Sequence, residues 1–244
     1  MMALKVYNWL KNNLSQSCML CLSRTRLNHH GICDGCLGEL PWLLHACRQC
    51  ALPLDGMADL CGQCLSHPPA FSRSLAVFSY SFPVDRLIVA FKHHDQLGYG
   101  RLLAEQLLQQ VRHADRELHP LPDLLLPMPL HPRRHARRGF NQALELCRPL
   151  AAGLHIPLAH NLLLRTRNTR TQQNLNASER QHNLHGAFHC PQSEKLAGLH
   201  LALVDDVMTT GTSADEAART LMQAGAASVS IWCVARTPEQ QANR

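Results

Sequence analysis

From Phe71 onward the apolar positions fall into two alternating rhythms. Leu75-Ala76-Val77-Phe78-Ser79-Tyr80 is an apolar run of strand length. Pro83 to Lys92 puts Leu87, Ile88 and Phe91 on one helical face. Residues 100–115 form a stronger helix, with Leu102, Leu103, Leu107 and Val111 in one stripe. Asp123-Leu124-Leu125-Leu126-Pro127 reads as a short buried strand, residues 130–138 as a basic loop, and Phe140 to Leu154 as a helix. Asn161 to Arg165 and Leu199 to Val204 read as strands. Ser213 to Ala224 reads as a helix closed by Gly225, and Val229 to Val234 as the last strand. Residues 166–185 are a polar excursion of a length that suits a functional lid or a disordered loop. Strands alternating with helices predict an α/β domain, a mostly parallel sheet covered on both faces. Ligands of such sheets sit at the carboxyl ends of strands, so chemistry is expected just after Leu126, Leu164 and Val204.

Ahead of Phe71 the pattern changes. Leu4, Tyr7 and Leu10 suggest a short amphipathic helix within residues 1–14. Residues 15–68 lack long apolar runs and end on the stiff linker His67-Pro68-Pro69. The expected organisation is an N-terminal helix (1–14), a cysteine-rich module (15–68) and the α/β domain (71–244). The module holds four C-x-x-C pairs: Cys18/Cys21, Cys33/Cys36, Cys47/Cys50 and Cys61/Cys64. Two such pairs supply four thiolates for tetrahedral Zn²⁺, and four pairs suit two ions. One or two Zn²⁺ are therefore expected, and metal binding would supply folding free energy that so small an apolar content does not. Redox chemistry is the rival use of C-x-x-C, though a single pair would serve it. Pairing first with second and third with fourth is favoured over a cross-brace. His29, His30 and His45 read as surface, and Cys147, Cys190 and Cys233 as inert core residues.

Hydrophobic residues make up 45% of the 244, which supports a packed core and excludes wholesale disorder. The formal charge of +6 favours polyanionic partners or phosphorylated ligands. In the cysteine module Asp34, Glu39, Asp55 and Asp59 nearly cancel the nearby basic residues, and Trp42 is its one aromatic, so it is no basic groove. Lysines interrupt the apolar residues of the N-terminus and no run of about eighteen apolar residues occurs. A cytoplasmic protein without an integral membrane segment is expected.

The most informative string is Val204-Asp205-Asp206-Val207-Met208-Thr209-Thr210-Gly211-Thr212-Ser213. It runs from an apolar strand through an acidic pair and a hydroxyl-rich turn into a helix. A helix N-terminus offers backbone N–H groups and positive dipole charge to a phosphate. Gly211 allows close approach or a positive φ. Two carboxylates beside a phosphate repel it unless they bind ribose hydroxyls or a divalent cation. A plain N-capped helix after a strand is the blander alternative. Upstream, four arginines crowd His131-Pro132-Arg133-Arg134-His135-Ala136-Arg137-Arg138-Gly139. Their guanidinium forks suit a pyrophosphate or a nucleic-acid backbone, or form a solvated surface.

The string resembles that of type I phosphoribosyltransferases. With the cysteine pairs, Phe91-Lys92, Pro127-Met128-Pro129-Leu130, Arg138-Gly139-Phe140-Asn141-Gln142 and Thr171-Gln172, the chain is similar to the ComF family (the ComFC and GntX-like proteins) along nearly its whole length. The resemblance implies a type I phosphoribosyltransferase fold behind a zinc-finger module. It implies that Asp205 and Asp206 contact ribose hydroxyls and that Thr209, Thr210, Gly211, Thr212 and Ser213 hold the 5′-phosphate of phosphoribosyl pyrophosphate. Arg137, Arg138 and Gly139 would meet the pyrophosphate, with Mg²⁺ alongside. Asp205, Asp206 and Arg138 would serve any catalysis, a glycosyl transfer at ribose C1. Two readings stay open. One is an Mg²⁺-dependent transferase. The other is a nucleotide or single-stranded DNA binding protein that reuses the fold in competence or the use of external DNA, beside DNA-processing partners. No hood segment for an acceptor is recognisable.

Overall fold

The computed structural model describes residues 16–25, 31–56, 58–93, 96–118, 121–167 and 186–239. The N-terminal helix expected within 1–14, His29, His30 and most of the polar excursion lie outside these.

Four strands, β3 (Arg73–Ser79), β4 (Leu124–Pro127), β7 (His200–Met208) and β8 (Ser228–Arg236), form one parallel sheet in the order β3-β8-β7-β4. The central pair β7 and β8 is apolar on both faces, as a sheet covered twice requires. One face carries helices α3 (Val84–His93), α4 (Leu97–Leu118) and α6 (Gln142–Leu154). Their Phe91, Leu102, Leu107, Leu146 and Leu150 are fully buried against Val204 and Trp232. The other face carries α7 (Thr212–Gln223), whose Ala214, Ala217, Ala218 and Leu221 meet Leu203 and Ile231. Each fully buried leucine is worth roughly 2 kcal/mol of transfer free energy, before chain entropy.

The sequence pattern placed these elements well and misjudged three. The segment 130–138 is no loop: Pro132–Arg138 is helix α5. Proline is at home in its first turn, His131 Nδ1 accepts the Arg133 N–H at 3.2 Å, and Gly139 closes it with φ 84°. Charge density had masked a segment with both caps. The helix expected from Phe140 starts at Gln142, because Asn141 caps it by accepting the Ala143 N–H at 3.0 Å. The strand expected at 161–165 reduces to β5 (Leu164–Arg165), paired antiparallel with β6 (Phe188–His189) outside the parallel sheet. The apolar run does bury Leu162 and Leu163, but its partner is the returning end of the excursion. Leu164 therefore marks no carboxyl end of the sheet.

In the cysteine module, β1 (Gln16–Ser17) pairs with β2 (Arg24–Thr25), and two short helices, α1 (Asp34–Gly38) and α2 (Gly62–Ser66), follow Cys33 and Cys61. Pro41 to Leu43 lies along the β3 edge: Leu43 N donates to Val77 O at 2.9 Å, Ser79 N donates to Pro41 O at 2.8 Å, and the Trp42 ring sits 4.8 Å from that of Phe78. The open edge is covered. Ile32 and Leu40 enter the core under α3 and α4, and Ala51 enters the core under α7.

Candidate functional site

Strand β7 continues four residues beyond the apolar run, so both aspartates sit on the strand itself. Asp206 is 3% exposed, and its Oδ2 lies 2.5 Å from the Lys92 ammonium of α3. Its Oδ1 accepts the Val207 N–H at 2.9 Å. Lys92 is held there by packing: Phe91 is fully buried, its ring 5.6 Å from that of Phe140, and a Cβ on Gly100 would come within 2.4 Å of it. Asp205 is half-buried, and its Oδ1 accepts the Asp206 N–H at 2.9 Å. Burial, and then the Asp206 charge, push its carboxyl up to about 8, against the pull of Lys92.

Thr209 and Thr210 lead to Gly211, the α7 N-cap, at φ 82°. Gly211 places no side chain over the first-turn N–H groups, and the helix begins with Asp215 N donating to Gly211 O at 2.8 Å. The Thr210 and Thr212 hydroxyls are 2.8 Å apart. The loop thus presents hydroxyls and a helix dipole where β7 ends, an arrangement suited to an anion.

Helix α5, from the neighbouring strand β4, brings the arginines. Arg134 and Arg138, one turn apart, are half-buried, whereas Arg133 and Arg137 are exposed. Arg138 donates to Oε1 of the buried Gln142. Burial, then Arg138 and Arg137, hold the Arg134 guanidinium below its ordinary range. Arg165 on β5 is lowered by burial and by Arg134, and raised by Asp205. Its guanidinium also lies 5.5 Å from the Phe188 ring centre. The basic helix and the acidic strand end therefore lie close enough for the charges of both to act on Arg165. Cations that repel one another there make an anion welcome.

The eight cysteines of the module gather as two tetrads, Cys18/Cys21/Cys33/Cys36 and Cys47/Cys50/Cys61/Cys64, each with ligand atoms within 4.8 Å of one another. A tetrahedron with Zn–S of about 2.3 Å has S···S edges of about 3.8 Å. Cys21 and Cys33 sulfurs are 3.8 Å apart, and Cys50 and Cys61 sulfurs 3.6 Å. The residues fit the ion, and the sequential pairing holds. Both knuckles repeat one turn: Leu22 N donates to Cys18 O and Ala51 N to Cys47 O, with φ of 62° and 53° at Leu22 and Ala51. Despite burial, backbone N–H groups of Cys21, Cys33 and Leu20 bring Cys18 down to about 6, while burial and the neighbouring thiols push Cys36 up to about 12. Four packed thiols do not all ionise without a cation. His45 is exposed and joins neither tetrad. Cys147 and Cys233 are fully buried and Cys190 partly.

Of the residues singled out from sequence, Asp205, Asp206, Thr209 to Ser213 and Arg138 gather at the carboxyl ends of β4 and β7. Arg137 is exposed on α5, and Gly139 is the helix cap. Four participants escaped sequence reasoning. Lys92 was visible only as part of Phe91-Lys92. Arg134 and Arg165 were two arginines among many. Arg236, 4% exposed at the end of β8, had no local sign at all.

The double zinc ribbon domain family matches residues 10–65, and the phosphoribosyl transferase domain family matches residues 141–244. The chain is 40% identical over 221 residues to the DNA utilization protein YhgH of Salmonella typhi, covering 90% of this chain and 96% of that protein. It is 33% identical over 229 residues to Competence protein F of Haemophilus influenzae, covering 93% and 100%. Competence protein ComFC of Bacillus subtilis is 35% identical over 214 residues, 84% of each chain. No helix among the described residues is long and apolar enough to cross a membrane.

Proposed function

The chain belongs to the ComF/YhgH family, in which a double zinc ribbon precedes a phosphoribosyltransferase domain, and from this premise we propose that it binds phosphoribosyl pyrophosphate and acts in DNA uptake or the use of external DNA. The observation that carries the ligand is the meeting of three features at one end of the sheet: the acidic pair of β7, the open N-terminus of α7, and the half-buried arginines of α5. The 5′-phosphate takes the turn Thr209 to Ser213. The ribose hydroxyls donate to Asp205 and to the carboxylate that Lys92 orients, Asp206. The pyrophosphate takes Arg138 and Arg134, with Arg165 across from them and Arg137 at the rim.

Magnesium in this site would rest chiefly on the ligand's own phosphate oxygens and neutralise charge on the departing pyrophosphate. The chain offers it Asp205, since the Oδ2 of Asp206 is taken by Lys92. If transfer occurs, the arginines stabilise the leaving group, and the carboxylates fix the ribose for attack at C1.

Calorimetry with Mg²⁺ and phosphoribosyl pyrophosphate tests the reading. Binding is expected to release protons near neutral pH, because the Asp205 carboxyl, raised in the free protein, must ionise to accept hydroxyls. The measured enthalpy then depends on the buffer. No heat from the zinc-loaded protein defeats the proposal.

A non-catalytic nucleic-acid binder is favoured by one observation, the exposed pair Arg133 and Arg137 on α5. Single-stranded DNA bound there would lose affinity steeply with salt, and Arg133→Ala with Arg137→Ala would flatten the slope. Salt-insensitive binding counts against it.

A further inference from the structure

The buried guanidinium of Arg236 joins two parts of the molecule. Its Nε donates to Cys50 O at 2.9 Å, and Cys50 belongs to the second tetrad. Its Nη1 donates to Met208 O at 3.3 Å, to Thr209 O and to Thr237 O. Every one of these acceptors is a backbone carbonyl, so what the side chain fixes is the orientation of peptide planes. In a trans peptide the carbonyl of one residue and the N–H of the next point in opposite directions. Holding the Met208 and Thr209 carbonyls against Arg236 therefore aims the Thr209 and Thr210 N–H groups away from it, on the side a phosphate approaches.

The other end of the tether is equally constrained. The Cys47 to Ala51 knuckle turns on Ala51 at φ 53°, a conformation that costs a non-glycine residue roughly 1 kcal/mol or more. It is seated on the sheet by Ser74, whose N–H donates to Arg48 O at 3.2 Å and whose hydroxyl donates to Gln49 O at 2.7 Å. Between knuckle and loop lies a cavity of about 620 Å³, with Cys50, Cys64 and Arg236 on its walls beside Thr210, Gly211 and Thr212.

We propose that Arg236 is a positioning residue that couples the second cysteine tetrad to the phosphate loop, so that metal in that tetrad and a phosphorylated ligand at Thr209 to Ser213 strengthen each other's binding. The inference rests on the ligand reading above. Coupling of this kind is reciprocal: whatever factor the metal adds to ligand affinity, the ligand adds to metal affinity. Among the described residues the first tetrad has no such tether to the loop, and it serves as the internal control.

The test uses the full zinc-loaded chain. Release of zinc to a colorimetric chelator is followed with and without saturating Mg²⁺ and phosphoribosyl pyrophosphate, and Cys61→Ala identifies the phase that belongs to the second tetrad. The ligand is expected to slow that phase about tenfold and to leave the other nearly unchanged. Arg236→Lys keeps the charge but loses the fork. It is expected to weaken calorimetric ligand affinity about tenfold and to abolish the selective slowing. A merely structural arginine would, on replacement, speed both phases alike. If the wild type binds the ligand and both phases respond equally, or Arg236→Lys binds as tightly as wild type, the coupling is wrong and the ligand reading survives. If the wild type does not bind the ligand, both fall. The wild-type chelation experiment decides the matter even where Arg236→Lys folds poorly.

Discussion

Replacing Asp205 by asparagine should stabilise the ligand-free protein, and the gain should grow with pH. Burial beside Asp206 raises the Asp205 carboxyl from 3.8 to about 8. In the unfolded chain that carboxyl ionises near 4, while in the folded protein it keeps its proton until about 8. Between these values the native state binds more protons than the unfolded one, so stability falls as pH rises, by about 1.4 kcal/mol per pH unit. Above the folded value the loss is complete and the curve is flat. From pH 5 to pH 7 the wild type should therefore give up about 3 kcal/mol that Asp205→Asn keeps. Solvent at the open edge of Asp205 screens part of this, so a difference half as large still agrees. The assay is urea unfolding of both zinc-loaded proteins at pH 5, 6 and 7. Titrations elsewhere, including those of the thiolates, cancel in the difference between the two. Parallel stability curves, or a variant that loses ground as pH rises, would refute the reasoning. The same substitution should impair binding of phosphoribosyl pyrophosphate, which separates stability from function in one side chain.

Two further outcomes follow from contacts already described. Lys92→Met leaves the Asp206 carboxylate buried without its cation and should cost about 3 kcal/mol in denaturant unfolding, most of it recovered by adding Asp206→Asn; a single-variant cost below about 0.5 kcal/mol would show the pair to be inert. Elemental analysis should find two zinc ions per chain, one for each tetrad, and stripping them should loosen the cover on the β3 edge and lower the melting temperature; one ion or none would show that a tetrad serves otherwise.

Sequence alone determined whatever is written in consecutive residues. The phosphate loop is one contiguous string, because a strand, a turn and a helix N-terminus need only local backbone geometry. The C-x-x-C pairs are equally local, and they marked all eight sulfurs that the fold gathers into two tetrads. Periodicity placed α3, α4, α6 and α7, since one apolar stripe suffices to bury a helix. Even the caps of α5 were legible, and only the weight given to its charges hid them.

Tertiary structure decided which distant groups meet. Arg236 reaches a carbonyl 186 residues away, and nothing in the residues around it forecasts that reach. Lys92 meets Asp206 because Gly100 and Phe140 hold Phe91 in place. Leu164 left the sheet because its partner came from the far end of a long excursion. The ionisation of Asp205 belongs here too. A carboxyl's affinity for its proton depends on the water and charge around it, and those are set by packing from several parts of the chain at once.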